Sequence, residues 1–427
     1  MHPPEPEDRE RRRFQRDVLW NVASLAVLGV SGIALFSLIG RFYDADTLGA
    51  FYQVLSAYIV FSMLAVGGID RSVLRAVVER SDDRQEGARI ALGSLVPALV
   101  LALPVSLLFW ASGSVLADWL ESEAVAQGIE AATPGLFFFA LNKVLLGVVN
   151  GLRRMRAFAV YQAARYVLIL VGLVACVLLE VPGERLPLLF SIAELALFAI
   201  LAVEVSTQLP WWRARGWLSW SGVHLRYGTK SVLSGVLLEL NSKVDVLMLG
   251  LFLADFDVGI YTVAAQLAEG AFQLLVVLQN NYNPLLARHL AGGRLEELRV
   301  LVARGRRVAY GLFAAVAVVA VLLYPLAVRL LIDKPEFQAS WMPFALLMAG
   351  ITLAAGYLPF QHALLMGNRP AWHSAYMLLV VGLNAAGNAL LIPRYGIEGA
   401  ALATGISFVA AAALLYGLAR GLLGVRL

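Results

Sequence analysis

The stretch LELNSKVDVLMLGLF, residues 238–252, sets Glu239, Lys243 and Asp245 inside an apolar run. A charge at the centre of a bilayer costs roughly 2.5–3.5 kcal/mol on insertion scales, so such groups face protein or water, not lipid. Glu239 and Lys243 are four residues apart, about 40° around a helix, in the favourable Glu-before-Lys order. Asn241 and Asp245 are also four apart, but roughly 200° away from that pair. A helix polar on two opposite faces needs partners on both. We expect Asp245 and Asn241 to be structural, bonding a neighbouring helix. Glu239 and Lys243 are expected to face a hydrated path, with the lysine held charged by the glutamate.

The following apolar run adds Thr262, Gln266, Glu269, Gln273 and Asn280, within about 60° of one another and spread over ~27 Å. A seam against another helix is the plainer reading. Such seams favour small residues with an occasional polar one, so five polar groups in line read better as the wall of a water-filled path. Glu269, near mid-membrane, is the first candidate for ion coupling, because burial raises a carboxylate pKa toward neutrality. Glu194, alone in its own run, is the second. Elsewhere in the first half, Asp17, Asn21, Ser24 and Ser31 share a side, as do Lys143 with Asn150 and Gln162 with Arg165. A salt bridge among these groups and a contact to a substrate both remain open.

These residues need helices to carry them. Of 427 residues, 60% are hydrophobic and 15% charged, with a mean hydropathy of +0.74. Soluble domains run near 25% charged and 45–50% apolar, so this is an integral membrane protein. Apolar runs long enough to cross a ~30 Å hydrocarbon core fall near 17–40, 51–69, 89–112, 131–151, 157–179 and 187–208. A second set falls near 231–253, 259–284, 308–331, 343–366, 373–393 and 398–419. The expected fold is therefore an all-α membrane protein of twelve transmembrane helices.

The pI near 9.2 raises the question of nucleic acid. The basic residues, however, sit in short blocks between apolar runs, which is membrane topology. With the N-terminus inside, the blocks Arg9–Arg16, Arg71–Arg89, Arg153–Arg156, Arg213–Lys230 and Arg288–Arg307 all fall on the cytoplasmic side. Localisation in the cytoplasmic membrane, with both termini inside, follows from the positive-inside rule. The first apolar run lacks a small-residue cleavage site and reads as a retained span. Cys176 is the single cysteine and excludes an intrachain disulfide.

The chain repeats. DADTLGAFYQVLSA at 44–57 and ADFDVGIYTVAAQ at 254–266 each put a short acidic turn before a Gly-x-aromatic helix start. Six spans per half give a parallel repeat, and transporters so built place their substrate site between repeats. The expected organisation is a cytoplasmic basic tail at 1–16, six-helix bundles at 17–209 and 231–427, and an interfacial linker at 210–230. Trp211, Trp212, Trp217 and Trp220 suit that linker to a membrane interface.

Several of these stretches resemble a known family. HLRYGTKSVL, VDVLMLGLFLADFDVGIYTVAAQLAE, NNYNPLLARHLAGGRLEEL and NAAGNALLIPRYGIEGAALATGISF are similar to the second half of bacterial polysaccharide flippases, and RFYDADTLGAFYQVLSAYIVFSMLAVGGIDRSVLR to the first. These belong to the multidrug/oligosaccharidyl-lipid/polysaccharide exporter superfamily. The resemblance implies two six-helix bundles around a central cavity and alternating access. It implies as cargo a polyprenyl-diphosphate-linked glycan, carried from the inner to the outer leaflet. Membrane lipids, a polysaccharide polymerase and glycosyltransferases are the implied partners. Basic cavity residues would meet the anionic cargo, a role that Lys143, Arg165 and Lys243 match by type and depth. Glu194, Glu239, Asp245 and Glu269 depart from that pattern and imply a nearly neutral cavity.

Two other readings stand beside it. A cation-coupled multidrug exporter would share the fold and use the acidic groups. A membrane-embedded polymerase or ligase would need a sizeable outer loop with acid/base residues, whereas the outer loops are short and lack histidine. His224, His289, His362 and His373 lack metal-ligand spacing. GTKS at 228–231 lacks the rest of a phosphate-binding loop. We expect no catalytic residue, metal or cofactor.

Overall fold

The computed structural model describes residues 6–80 and 83–425, leaving aside the side chains of 6–19, 21, 22, 230, 231, 233, 234 and 238. Asp17, Asn21, Lys230, Arg426 and the arginines of the N-terminal tail therefore lie outside the described side chains. The described chain is helical throughout: α1 (Pro6–Phe42), α2 (Ala45–Val66), α3 (Ile69–Glu79), α4 (Arg84–Leu120), α5 (Glu123–Gly151), α6 (Met155–Leu178), α7 (Leu188–Gln208), α8 (Leu218–Phe252), α9 (Asp255–Ala291), α10 (Leu295–Leu331), α11 (Trp341–Ala354), α12 (Ala363–Met366) and α13 (Pro370–Leu423). Among the described residues, ten helices are long and apolar enough to cross a membrane. One of them, α13, is two helices joined at Gly396, whose backbone is non-helical (φ 57°, ψ −135°). Counting it twice and adding the charged α8, which is not among the ten, gives the twelve expected spans.

Several boundaries differ from expectation for local reasons. The helix begins at Pro6, so the backbone of residues 6–16 of the expected tail already belongs to α1. The second run stops at Gly67 and Gly68, both at positive φ, and the basic block after it opens with helix α3. The run at 343–366 is broken after Ala354 and resumes only at Ala363. Pro359 lies in that break, and proline leaves a backbone carbonyl without its helical partner. The segment expected as a linker is packed structure. Ser221 Oγ donates to the Gly93 carbonyl at 2.9 Å and Trp220 Nε1 to Glu86 at 2.8 Å, fixing the start of α8 against α4.

Contacts divide the chain into two units, Met1–Leu38 with Val54–Val236, and Ile39–Gln53 with Leu237–Leu427. In the first, the core is built by α3, α4, α5 and α7, around Val73, Ile90, Val144 and Leu201. In the second, Leu286, Val302, Phe360, Tyr376 and Leu415 form a core of their own. Leucines such as Leu103, Leu107, Leu322 and Leu326 are exposed on their helices. That is the surface a bilayer covers, since every backbone polar group in a span is satisfied within its own helix.

The repeated turn has a structural reason. The first turns of α2 belong to the second unit, where they cross the start of α9. A Cβ on Gly49 would sit 1.9 Å from the Asp255 carbonyl oxygen, and one on Gly259 2.0 Å from that of Ala45. The two repeat glycines are thus the two halves of one backbone crossing. Gln53 Nε2 donates to Asp255 Oδ1 at 2.7 Å and closes it.

Candidate functional site

In the first unit the polar groups converge on Glu194 of α7. Arg165 of α6 forms an ion pair with it through Nε and donates through Nη2 at 3.2 Å. Asn142 of α5 donates to both the Glu194 carboxylate and its carbonyl, each at 2.8 Å. The Arg165 guanidinium lies 4.4 Å from the Phe139 ring centre, and Lys143 Nζ lies 5.5 Å from the same ring. A guanidinium over an aromatic face gains further from the ring quadrupole. Glu194, read from sequence as solitary, is thus paired, and Arg165 is spent on it. Lys143 is half-buried at the edge of this cluster.

In the second unit Lys243 of α8 finds its carboxylate on another helix. Its Nζ donates to Glu269 Oε2 of α9 at 3.3 Å. The hydrogen bond thus goes to Glu269, while Glu239, four residues back along α8, acts on the same ammonium electrostatically. A carboxylate across a helix pair can approach end-on, while an i,i+4 pair must bend both side chains along one helix surface. Lys243 is 13% exposed and Glu269 46%. Gln266 is half-buried, and Gln273 and Asn280 are exposed, while Thr262 is buried and bonds back to the Val258 carbonyl. The polar line on α9 therefore runs from a sealed end to an open one, with Glu269 where it opens.

Asp245 is buried. It accepts the Tyr261 hydroxyl at 2.7 Å and the Val246 amide at 2.9 Å. Nearby in α13, Asn388 donates to Asn384 Oδ1 at 3.0 Å and Thr404 to the same oxygen at 3.5 Å. Asn241 keeps its Oδ1 buried with no hydrogen-bond partner among the described residues. Sequence reasoning passed over Asn142, Tyr261, Asn384 and Asn388. The asparagine pair did carry a signal, an i,i+4 polar repeat in NAAGNALL, on one helix face. Among the described residues, no three histidine, cysteine or acidic side chains stand together as a metal site would require.

Long apolar helices, with a charged pair inside each of the two units, define a multi-span membrane protein. The chain belongs to the family described as polysaccharide biosynthesis protein, whose model matches residues 16–288. Solved structures share its fold. An inward-facing multidrug resistance MATE family transporter of the MOP superfamily aligns over 96% of this chain and 94% of its own, at TM-score 0.76 and 14% identity. The lipid II flippase MurJ, in an inward closed conformation, aligns over 94% and 87%, at TM-score 0.77 and 11% identity. A MOP superfamily transporter from Pyrococcus furiosus, described as having a binding pocket of reversed polarity, aligns over 96% and 95% at 0.62 and 15%. No curated protein matches the chain.

Proposed function

We propose that this chain is a flippase that carries a polyprenyl-diphosphate-linked oligosaccharide from the inner to the outer leaflet of the cytoplasmic membrane. The family supplies the pathway, and the distribution of arginines supports an orientation with both termini in the cytoplasm. The observation that carries the reading is the half-open Lys243–Glu269 pair on the polar line of α8 and α9. A buried and fully enclosed pair is a strut. A pair whose carboxylate is half-exposed can exchange partners.

In this mechanism the diphosphate competes with Glu269 for the Lys243 ammonium, which binds phosphate as a point charge. Glu269, released from the lysine, is then free to take a proton, so cargo on Lys243 and a proton on Glu269 are held together. Gln266, Gln273 and Glu239 offer hydrogen bonds to sugar hydroxyls along the same path. Arg165 with Glu194, and Asp245 with Asn241, hold helices in place. No bond in the cargo is made or broken, and no cofactor takes part. The glycan arrives from glycosyltransferases and leaves toward a polymerase.

The test is transport of a labelled lipid-linked oligosaccharide in proteoliposomes. Lys243→Ala is expected to abolish it at normal expression, and Lys243→Arg to retain part of it. Full transport by the alanine variant removes the lysine from the mechanism. A cation exporter is the second reading, favoured by the shared fold with the multidrug transporter. It would respond in the opposite way, because removing Lys243 frees Glu269 to attract a cationic substrate.

A further inference from the structure

A cleft of about 430 Å³ opens in the first unit where the ends of α3, α4 and α7 meet the turn between α5 and α6. That volume is in the usual range for a small-molecule site. Its floor is apolar, made by Val77 and Leu209, and Gly87 leaves room beside the leucine. Its rim carries Arg80, Arg84 and Arg154, against one carboxylate, Asp83. The proposed transport role takes none of these groups.

The charges on the rim are not equally free. Asp83 caps α4, accepting the amides of Gln85 at 2.8 Å and Glu86 at 3.1 Å; these neutral donors turn its carboxylate toward the helix start, and its single charge is outnumbered by the arginines of the rim. Arg154 is paired with Glu204, which lies outside the lining and also accepts the Tyr161 hydroxyl at 3.1 Å. Arg84 donates through Nε and Nη2 to the Gln208 carbonyl at 3.1 and 2.7 Å. A carbonyl orients a guanidinium without cancelling its charge, and three of the five N–H donors of that fork remain. Arg80 makes no ion pair among the described residues. Two guanidiniums, one of them held rigid, thus stand over an apolar floor.

We propose that this cleft binds a phosphate ester, the headgroup of an anionic phospholipid in the adjacent leaflet. Guanidinium forks match phosphate oxygens two at a time. Basic pockets at the cytoplasmic ends of transmembrane helices suit anionic headgroups, and half-buried Leu152 in the lining offers an apolar edge to the start of an acyl chain. Placing that leaflet on the cytoplasmic side rests on the orientation proposed above. Binding itself does not depend on transport. The lipid would act as a clamp across α3, α4 and α7.

The test uses the full chain, delipidated in detergent, with thermal stability read against three additives. These are short-chain phosphatidylglycerol, phosphatidylcholine of the same chain length, and inorganic phosphate. Phosphatidylglycerol is expected to raise Tm with saturation, and phosphatidylcholine to leave it unchanged. In Arg80→Gln/Arg84→Gln the half-saturating concentration should rise about tenfold or more, the loss expected for two charge-assisted contacts. Arg80→Lys/Arg84→Lys should sit between, with the lipid-free Tm of each variant, lowered where the Arg84–Gln208 contact is lost, taken as its own baseline. Equal protection by phosphatidylcholine, or an unchanged titration in the glutamine variant, overturns the proposal. Protection by inorganic phosphate as strong as by phosphatidylglycerol keeps the phosphate chemistry and overturns the lipid as its source. Transport is not the readout, so a failure here and a failure of the flippase reading are separately visible.

Discussion

Arg165 and Glu194 in the first unit are 8% and 2% exposed, whereas Lys243 and Glu269 in the second are 13% and 46% exposed. Each pair bridges two helices with one cation and one carboxylate. The difference lies in what surrounds them. Glu194 also accepts from Asn142 and its partner is covered by Phe139, so neither charge can leave without stranding the other. Glu269 shares its exposed face with Gln273, and its oxygens can be re-solvated when the lysine turns away. Ion pairs at membrane depth therefore divide by the number of their partners, and only the under-coordinated one is suited to exchange.

The sharpest way to break this contrast is to remove one charge of the closed pair. Glu194→Leu leaves a buried guanidinium uncompensated, a change that costs about 3–5 kcal/mol. Thermal unfolding in detergent should show a large fall in Tm, with little folded protein recovered. Adding Arg165→Met should restore most of the loss, because a buried pair replaced by apolar groups is close to neutral. A single variant as stable as the parent would mean that the first-unit pair is as open as the second.

The contrast would also fail if the second unit were simply loose. The crossing of α2 and α9 tests this. Gly259→Ala drives a methyl into the Ala45 carbonyl, 2.0 Å away, and overpacking of this kind costs about 1–3 kcal/mol. A fall in Tm of that order, from a site away from both pairs, marks the second unit as tightly packed and the opening at Glu269 as local. An unchanged Tm would put the exposure of Glu269 down to general looseness.

A pH titration sharpens the other side. His224 lies in the first turns of α8, before the span, buried with its Nδ1 2.9 Å from Ser72 Oγ and its ring stacked on Trp220. Burial lowers its pKa from 6.5 to about 4, against a smaller upward pull from a backbone hydrogen bond. The unfolded chain takes up the proton first as pH falls below about 6.5, so stability is full above that pH and declines until about pH 4. At pH 5 the loss is about 2 kcal/mol. Tm should drop over this window in the parent and stay flatter in His224→Gln. Equal slopes would mean that water reaches the interior of the first unit.

Much of the fold was legible because hydropathy length is a one-dimensional signal. Gly49 and Gly259 could be paired by sequence alone, and they meet at one crossing. What could not be read was which charge meets which. Spacing along α8 offered Lys243 a carboxylate at Glu239, yet the hydrogen bond goes to Glu269 on α9, because partner choice depends on the rotation of two helices about their axes. Glu194 looked solitary for the same reason: its partners Arg165 and Asn142 come from α6 and α5. The breaks after Val66 and Ala354 were hidden by apolar runs that continue across them. Hydropathy measures what surrounds a helix, not whether it is continuous.

The smallest effect on stability is expected at Glu269, and it is the most informative. A half-exposed ion pair contributes about 0–1 kcal/mol, so Glu269→Gln should leave Tm and expression nearly unchanged. The glutamine keeps a hydrogen-bond acceptor for Lys243 but cannot take up a proton at working pH. Under the proposed exchange, cargo binding at Lys243 is then no longer linked to proton uptake at position 269. Transport in proteoliposomes should weaken, and its dependence on an imposed proton gradient should flatten. The matching variant in the first unit, Glu194→Gln, should instead lower Tm, because Arg165 there has no water to replace the lost charge. A Glu269→Gln protein that transports at the parent rate with an unchanged pH profile removes the proton from the cycle. The Lys243 site would then be driven by sodium or by the cargo gradient alone, and the open pair would be a point of entry for the diphosphate and nothing more.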